Sequence, residues 1–257
     1  LYVSLIILIP VIALILKGTE IGPAQFWAIV TAPRTLAALR VTVTAAVEAT
    51  IFNAFYGLLM AWVLTRYEFP GKRILDALMD VPFALPTAVA GISLTALYSA
   101  NGWFGGPLQA AGIEVVYTLG GVMLAMAFTS TPFVVRAIQP VLEDLDPALE
   151  QAAMTLGARP FAIFRRVVLP AILPAWLAGS TVAFARSLGE FGAVVFIAGN
   201  LPFKTEIAAL LAYIRLEEYD YQGAAAIALV LLGLALLLLV VSNLLQFRAA
   251  RHLEARP

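Results

Sequence analysis

The chain has 257 residues, 62% hydrophobic and 12% charged, with sixteen Lys and Arg balancing sixteen Asp and Glu, and its mean hydropathy is +0.93. A soluble domain carries about a quarter charged residues and could not bury this much apolar surface, whereas a bilayer can. Zero net charge argues against a nucleic-acid partner, and the absence of Cys excludes disulfides, thiolate metal sites and thiol chemistry.

Leu1 to Leu16 is apolar from its first residue. A cleavable signal peptide needs a basic region before the apolar stretch and a small-residue cleavage site after it. This segment is therefore expected to be a first transmembrane helix whose cytoplasmic start precedes Leu1. Gly18 to Arg40 holds Phe26, Trp27 and Pro33 and is expected at the interface, where aromatic rings favour the headgroup level. A second span is expected from Val41 to Leu64, closed by charges and the Pro70-Gly71 pair. The third runs from Ile74 to Ser99 with Pro82 and Pro86 inside it, and a glycine-rich loop follows from Asn101 to Pro107. A fourth span is expected from Val115 to Val135, with Pro132 near its end. Arg136 to Arg166 is too polar to cross lipid. The fifth span covers Leu169 to Leu188, Glu190 to Tyr221 is a mixed segment with a re-entrant or surface helix, and the sixth runs from Ala224 to Leu245.

Unpaired backbone groups are not tolerated in lipid and strand-like alternation is absent, so the spans are helices. The fold class is all-α: a multi-pass membrane protein of about six transmembrane helices, forming a single domain over 1–257. Arg66, Lys72, Arg73, Arg136, Arg159, Arg165, Arg166, Arg248, Arg251 and Arg256 fall on one side, and Lys17, Arg34, Arg40, Lys204 and Arg215 on the other. This asymmetry places both termini in the cytoplasm. His252 beside Arg251 is a tail residue rather than a metal ligand, and no metal or cofactor is expected on this chain.

The cytoplasmic stretch 144–170 has its own grammar. Asp146 is a natural N-cap, Pro147 suits the first helical position, Glu150 favours the positive helix end, and Gly157 can stop the helix in the left-handed conformation. A second helix can start near Pro160 and carry Phe161 and Phe164 towards Leu169-Pro170. The residues predict a helix–glycine–helix elbow. It either docks on a cytosolic partner or lies on the membrane surface without one.

Gln151-Ala152-Ala153, Gly157 after three residues, Phe164, and Leu169-Pro170 resemble the EAA loop of ABC importer permeases. The family usually has Glu where this chain has Gln151, with Glu150 adjacent. The resemblance implies that Asp146, Glu150, Gln151, Ala152, Ala153, Gly157, Phe164, Leu169 and Pro170 couple the chain to an ATPase. It also implies an inner-membrane location, a second homologous permease subunit, two cytoplasmic ATPase subunits and a periplasmic or lipid-anchored binding protein, all meeting in membrane lipid. This chain is not an enzyme on that view. It has no Gly-rich loop ending in Gly-Lys-Ser/Thr, so ATP and Mg would be held by the partner ATPase.

Asp80 to Gly91, Asn101-Gly102-Trp103-Phe104-Gly105, and Arg186 to Gly192 are similar to the sulfate and thiosulfate permease branch, closest to its T-type subunit. The last string is shared with molybdate and tungstate permeases, which are the alternative reading. An ATPase-independent secondary anion transporter is a further alternative, but it predicts paired charges deep in several spans. Candidate pathway residues are Pro82, Phe83, Pro86, Thr87, Thr181, Arg186, Ser187 and Glu190. Ser and Thr serve either a polar passage or interhelical hydrogen bonding. Arg186 and Glu190 stand four residues apart, where one helix face would hold them as a pathway pair or an interfacial anchor.

Overall fold

The computed structural model describes residues 2–254, with no strand among them. Thirteen helices follow in chain order: α1 Tyr2–Thr19, α2 Pro23–Val30, α3 Pro33–Arg66, α4 Lys72–Ala84, α5 Thr87–Tyr98, α6 Gly105–Ala110, α7 Leu119–Glu143, α8 Pro147–Thr155, α9 Pro160–Ile163, α10 Leu169–Leu188, α11 Gly192–Ala198, α12 Ala208–Glu217 and α13 Tyr221–Glu254. A π-helical turn, Phe164–Val168, joins α9 to α10. Leu1 and Arg256 lie outside the described residues, as do the side chains of Arg248, Arg251 and His252.

Among the described residues four helices are long and apolar enough to cross a membrane: Pro33–Arg66, Leu119–Glu143, Pro160–Leu188 and Tyr221–Val241. Two bent pairs, Leu8–Gly18 with Pro23–Val30 and Lys72–Ala84 with Thr87–Tyr98, raise the number to six if each is one span. The chain is thus an all-α multi-pass membrane protein.

Several boundaries differ from expectation for identifiable reasons. The expected third span is broken, because Pro86 holds the preceding Leu85 extended at φ −82°, ψ 134°. Pro82, by contrast, sits inside α4 without ending it. The second span begins two turns early, since Pro33 at the first helical position launches α3 and carries Arg34 and Arg40 into it. The fourth runs on to Glu143 through Pro132 and Pro140, so Arg136 is helical rather than part of a loop. Only the end of the expected glycine-rich loop is helical: residues 101–104 form a turn, and Gly105 opens the short helix α6.

The chain forms two compact units. The first comprises Leu1–Glu48, Pro86–Met126 and Leu188–Leu237. Its apolar cores gather Ile21, Val30, Ala225 and Ala226 in one place and Ala38, Ala208, Leu211 and Ile227 in another. Small residues let backbones close up. A Cβ on Gly91 of α5 would strike the Ala193 carbonyl oxygen of α11, and one on Gly192 would strike the Thr87 hydroxyl. The second unit comprises Ala49–Leu85, Ala127–Ser187 and Leu238–Pro257. Its core joins Met60, Ala61 and Leu64 of α3, Val134, Val135 and Ile138 of α7, and Ile172 and Ala183 of α10. At Gly57 of α3 a Cβ would stand 2.8 Å from the Val134 side chain, so only glycine permits this approach.

Candidate functional site

The elbow lies in the second unit and is built as the sequence predicts. The Asp146 carboxylate accepts a bond from Ala148 N–H at 2.8 Å, and Pro147 follows at the first helical position. At the far end Gly157 takes φ +78°. Its N–H donates to Met154 O at 2.9 Å, and Ala158 N–H donates to Ala153 O at 3.0 Å. These two bonds form a Schellman motif, which satisfies carbonyls that the helix end leaves orphaned. Arg159 is then extended and Pro160 starts α9.

The π-helical turn sits where Pro170 has no N–H to return to the carbonyl of residue 166, and Leu169 N–H instead reaches back five residues to Phe164 O. The widened turn puts the Phe164 ring edge-on to Trp62 of α3, with centroids 5.5 Å apart. The Arg66 guanidinium lies 5.3 Å from the Trp62 ring centroid and pairs with the Glu150 carboxylate. One helix end, α3, therefore grips the elbow twice, through Glu150 on α8 and Phe164 beyond α9. Leu169 and Phe164 also pack on the core of this unit. Gln151 and Ala152 are exposed, and Ala153 and Pro170 are half-buried. Leu149, Met154, Leu156 and Phe161 are exposed as well, Leu156 at 87% and Phe161 at 73%, which is unusual for apolar side chains on a polar loop.

A second feature of this unit escaped the sequence. Arg136 of α7 donates to both carboxylate oxygens of Asp80 at 2.8 and 2.6 Å, to Asp76 Oδ1 at 2.6 Å, to the Asp76 carbonyl at 3.0 Å and to Gln139 at 2.6 Å. The planar guanidinium fork suits this bidentate grip. It ties α4 to α7. Asp76 and Asp80 stand four residues apart in α4, and their cation lies 56 residues from Asp80.

The pathway candidates separate by environment. In the second unit, Ser187 of α10 is buried and donates to Ser130 of α7 at 3.1 Å and to Ala183 O at 2.9 Å. Asn53 of α3 donates to Ser130 at 2.8 Å and to Ala127 O at 3.0 Å, while Thr131 donates to Asn53 Oδ1 at 2.8 Å. Three helices are thus joined by one buried polar cluster. Asn53 is its centre and was not singled out by sequence reasoning, because a lone Asn in an apolar run carries no spacing signal. Thr181 donates to Leu177 O within α10. Phe83 is exposed at the end of α4 and meets Phe133 edge-on, and Pro82 precedes it in the same helix. Arg186 stands half-buried in the last turn of α10.

In the first unit, Pro86 caps α5 and Thr87 is its first residue, against Gly192 of α11. Glu190 is buried and accepts from Ala193 N–H at 2.9 Å, tethering the start of α11. The expectation of one helix face for Arg186 and Glu190 is therefore corrected: α10 ends at Leu188, and Glu190 serves the next helix.

Residues 53–254, which include the elbow and the Arg136 clamp, match the family described as binding-protein-dependent transport system inner membrane component. The chain belongs to this family. Members of the ABC importer permease family work with an ATPase and a substrate-binding protein, and this permease is an inner-membrane, multi-pass transport component without a catalytic role. It is 55% identical over 252 residues to the sulfate transport system permease protein CysT of Salmonella typhimurium, covering 98% of this chain and 91% of the relative. The Escherichia coli protein of the same name is 54% identical over the same shares. A probable sulfate transport system permease protein of Nephroselmis olivacea is 48% identical, over 95% of this chain and 86% of the relative. The fold is shared with a bacterial ABC transporter that imports the polysaccharide alginate, at TM-score 0.78 and 18% identity over 95% and 91% of the two chains. It is also shared with the MetNI methionine ABC transporter, at TM-score 0.62 and 16% identity over 89% and 99%.

Proposed function

We propose that this permease is the T-type membrane subunit of an ABC importer that moves sulfate and thiosulfate inward across the membrane. The observation that carries the reading is identity above one half, along 98% of the chain, to proteins named as sulfate transport permeases. Its partners are a second, homologous permease subunit, two cytoplasmic ATPase subunits and an external sulfate-binding protein.

The elbow supplies the drive. Exposed Leu149, Met154, Leu156 and Phe161 fill a groove on an ATPase subunit, with Gln151 and Ala152 beside them. Glu150 does not face that partner, because it is engaged by Arg66. Gln151 stands instead at the position where the family usually carries its glutamate. Because α3 grips the elbow at two points, rigid-body motion of α8 is passed to a membrane-crossing helix rather than absorbed in a loop. The Arg136 clamp carries the same motion between α7 and α4. The permease itself holds the anion loosely, since a tight pore site would block release. Polar side chains such as Thr87 and Thr181, and the backbone N–H groups at the start of α5 after Pro86, suit that weak contact. Half-buried Arg186 and the exposed Phe83 after Pro82, both in the second unit, are further candidates for the passage, whereas buried Ser187 and Glu190 serve packing.

The test is ATP-driven uptake of labelled sulfate in proteoliposomes. The assembled complex with its binding protein takes up sulfate. Uptake by this chain reconstituted alone would refute the coupled reading.

A further inference from the structure

Two cations of α3 have opposite fates in the first unit. The Arg34 guanidinium grips Glu206 with two bonds, of 2.9 and 2.6 Å, and the Glu206 side chain is fully buried. Arg40, two turns along, is exposed and makes no ion pair or side-chain hydrogen bond among the described residues. The same holds for Lys204. Both line one open pocket of about 460 Å³, together with Leu36, Val41, Thr44, Leu119 and Phe203. Among the described residues no carboxylate lines it.

The loop that presents Lys204 is held firmly. The Leu201 carbonyl accepts from the N–H groups of Lys204, Thr205 and Glu206 at 3.1, 2.9 and 3.1 Å. Thr205 donates to Ala198 O at 2.6 Å and accepts from Leu201 N–H at 3.1 Å. Phe203 sits at φ 64°, a conformation that a bulky residue adopts only when its surroundings fix it. The Arg34–Glu206 pair anchors the loop's end to α3. The fold thus spends one α3 cation on fixing the loop and leaves Arg40 and Lys204 over the same cavity, with the Thr44 hydroxyl one turn from Arg40.

We propose that this pocket is a binding site for a tetrahedral oxyanion of the sulfate or phosphate class, held between Arg40 and Lys204 with Thr44 as a further donor. Arg supplies a planar fork for two oxyanion oxygens and Lys a point charge. The Lys and Arg asymmetry puts the pocket on the non-cytoplasmic side, where the transported anion arrives. Its identity as that anion rests on the proposed function, whereas the site does not. An anionic lipid headgroup offers the same phosphate chemistry beside Leu36, Val41 and Leu119.

The chain has no Cys, so a thiol introduced by Phe203→Cys reports on this pocket in the chain, and Leu119→Cys is an independent second reporter. The assembled complex is placed in zwitterionic bilayer discs and in discs containing phosphatidylglycerol. The thiol is then reacted with sulfonate-bearing and trimethylammonium-bearing reagents of similar size. The sulfonate reagent is expected to react roughly tenfold faster or more, because a cleft of one sign concentrates counter-ions. Arg40→Gln with Lys204→Gln should remove that preference. Protection by inorganic sulfate in zwitterionic discs assigns the site to the free anion, and protection by phosphatidylglycerol without sulfate assigns it to a lipid phosphate. Equal rates for both reagents, with protection by neither, would overturn the site. No step measures transport, so a failure here is distinct from a failure of the sulfate reading.

Discussion

Gly157 offers the sharpest perturbation of the coupling elbow. Its φ of +78° is the left-handed conformation, and nothing lies within 4 Å of a Cβ added there. A substitution therefore meets no steric wall, and its whole cost is in the backbone. For an ordinary L-residue that cost is about 1–2 kcal/mol, and it is largest for β-branched side chains. A loss of that size lowers the intact Schellman turn by a factor of roughly 5–30 against a frayed helix end. Gly157→Val should then reduce both co-purification of the ATPase subunits and ATP-driven sulfate uptake, while membrane insertion stays intact. Gly157→Asn should retain most of both, because Asn tolerates this region. The pair is compared in proteoliposomes at matched protein levels. Unchanged uptake with Gly157→Val would refute the reasoning. Equal loss with Asn and Val would refute it too, since the glycine would then be needed for something other than its φ.

Other consequences follow from the same geometry. Arg66→Ala leaves the largely buried Glu150 carboxylate without its cation, at a cost of about 1–3 kcal/mol; ATPase association should weaken, and Arg66→Met with Glu150→Met should recover part of it, as read by pull-down and thermal melting. Arg136→Lys replaces a fork that makes five hydrogen bonds with an ammonium that has three donors, so a melting shift and slower uptake are expected, with Arg136→Ala worse than Lys. Arg186→Ala should lower uptake strongly and Arg186→Lys restore only part of it, if the residue serves the passage; equal uptake by Arg186→Lys and native protein would make it an interfacial anchor instead.

The helices were legible wherever a signal is local. Asp146, Pro147 and Gly157 each act through their own backbone, and the elbow's boundaries could be placed from three residues. Leu169 to Leu188 was legible because twenty mostly apolar residues match the thickness of the hydrocarbon core. Prolines were harder: Pro86 breaks a span, while Pro82, Pro132 and Pro140 lie inside helices, and residue type alone does not tell them apart. The polar side chains were harder still. Ser130, Thr131 and Ser187 are alike in sequence to residues that line a passage, yet Asn53, 77 residues from Ser130, gathers them into a buried cluster. Arg136 reads in the sequence only as one charge of a polar stretch, with nothing to point to Asp76 and Asp80. Long-range pairing of this kind has no signature in a single sequence. The free cations Arg40 and Lys204 became distinguishable from Arg34 only once Glu206 was seen to claim the latter.

The central claim is a sulfate-class oxyanion carried by an ATP-driven complex, and competition uptake tests it most directly. Labelled sulfate is offered to the assembled, energised complex with excess unlabelled thiosulfate, molybdate or phosphate. The account predicts strong competition by thiosulfate and weak competition by molybdate and phosphate, with no uptake when ATP is withheld. Selective competition by molybdate, or sulfate uptake without ATP, would contradict it.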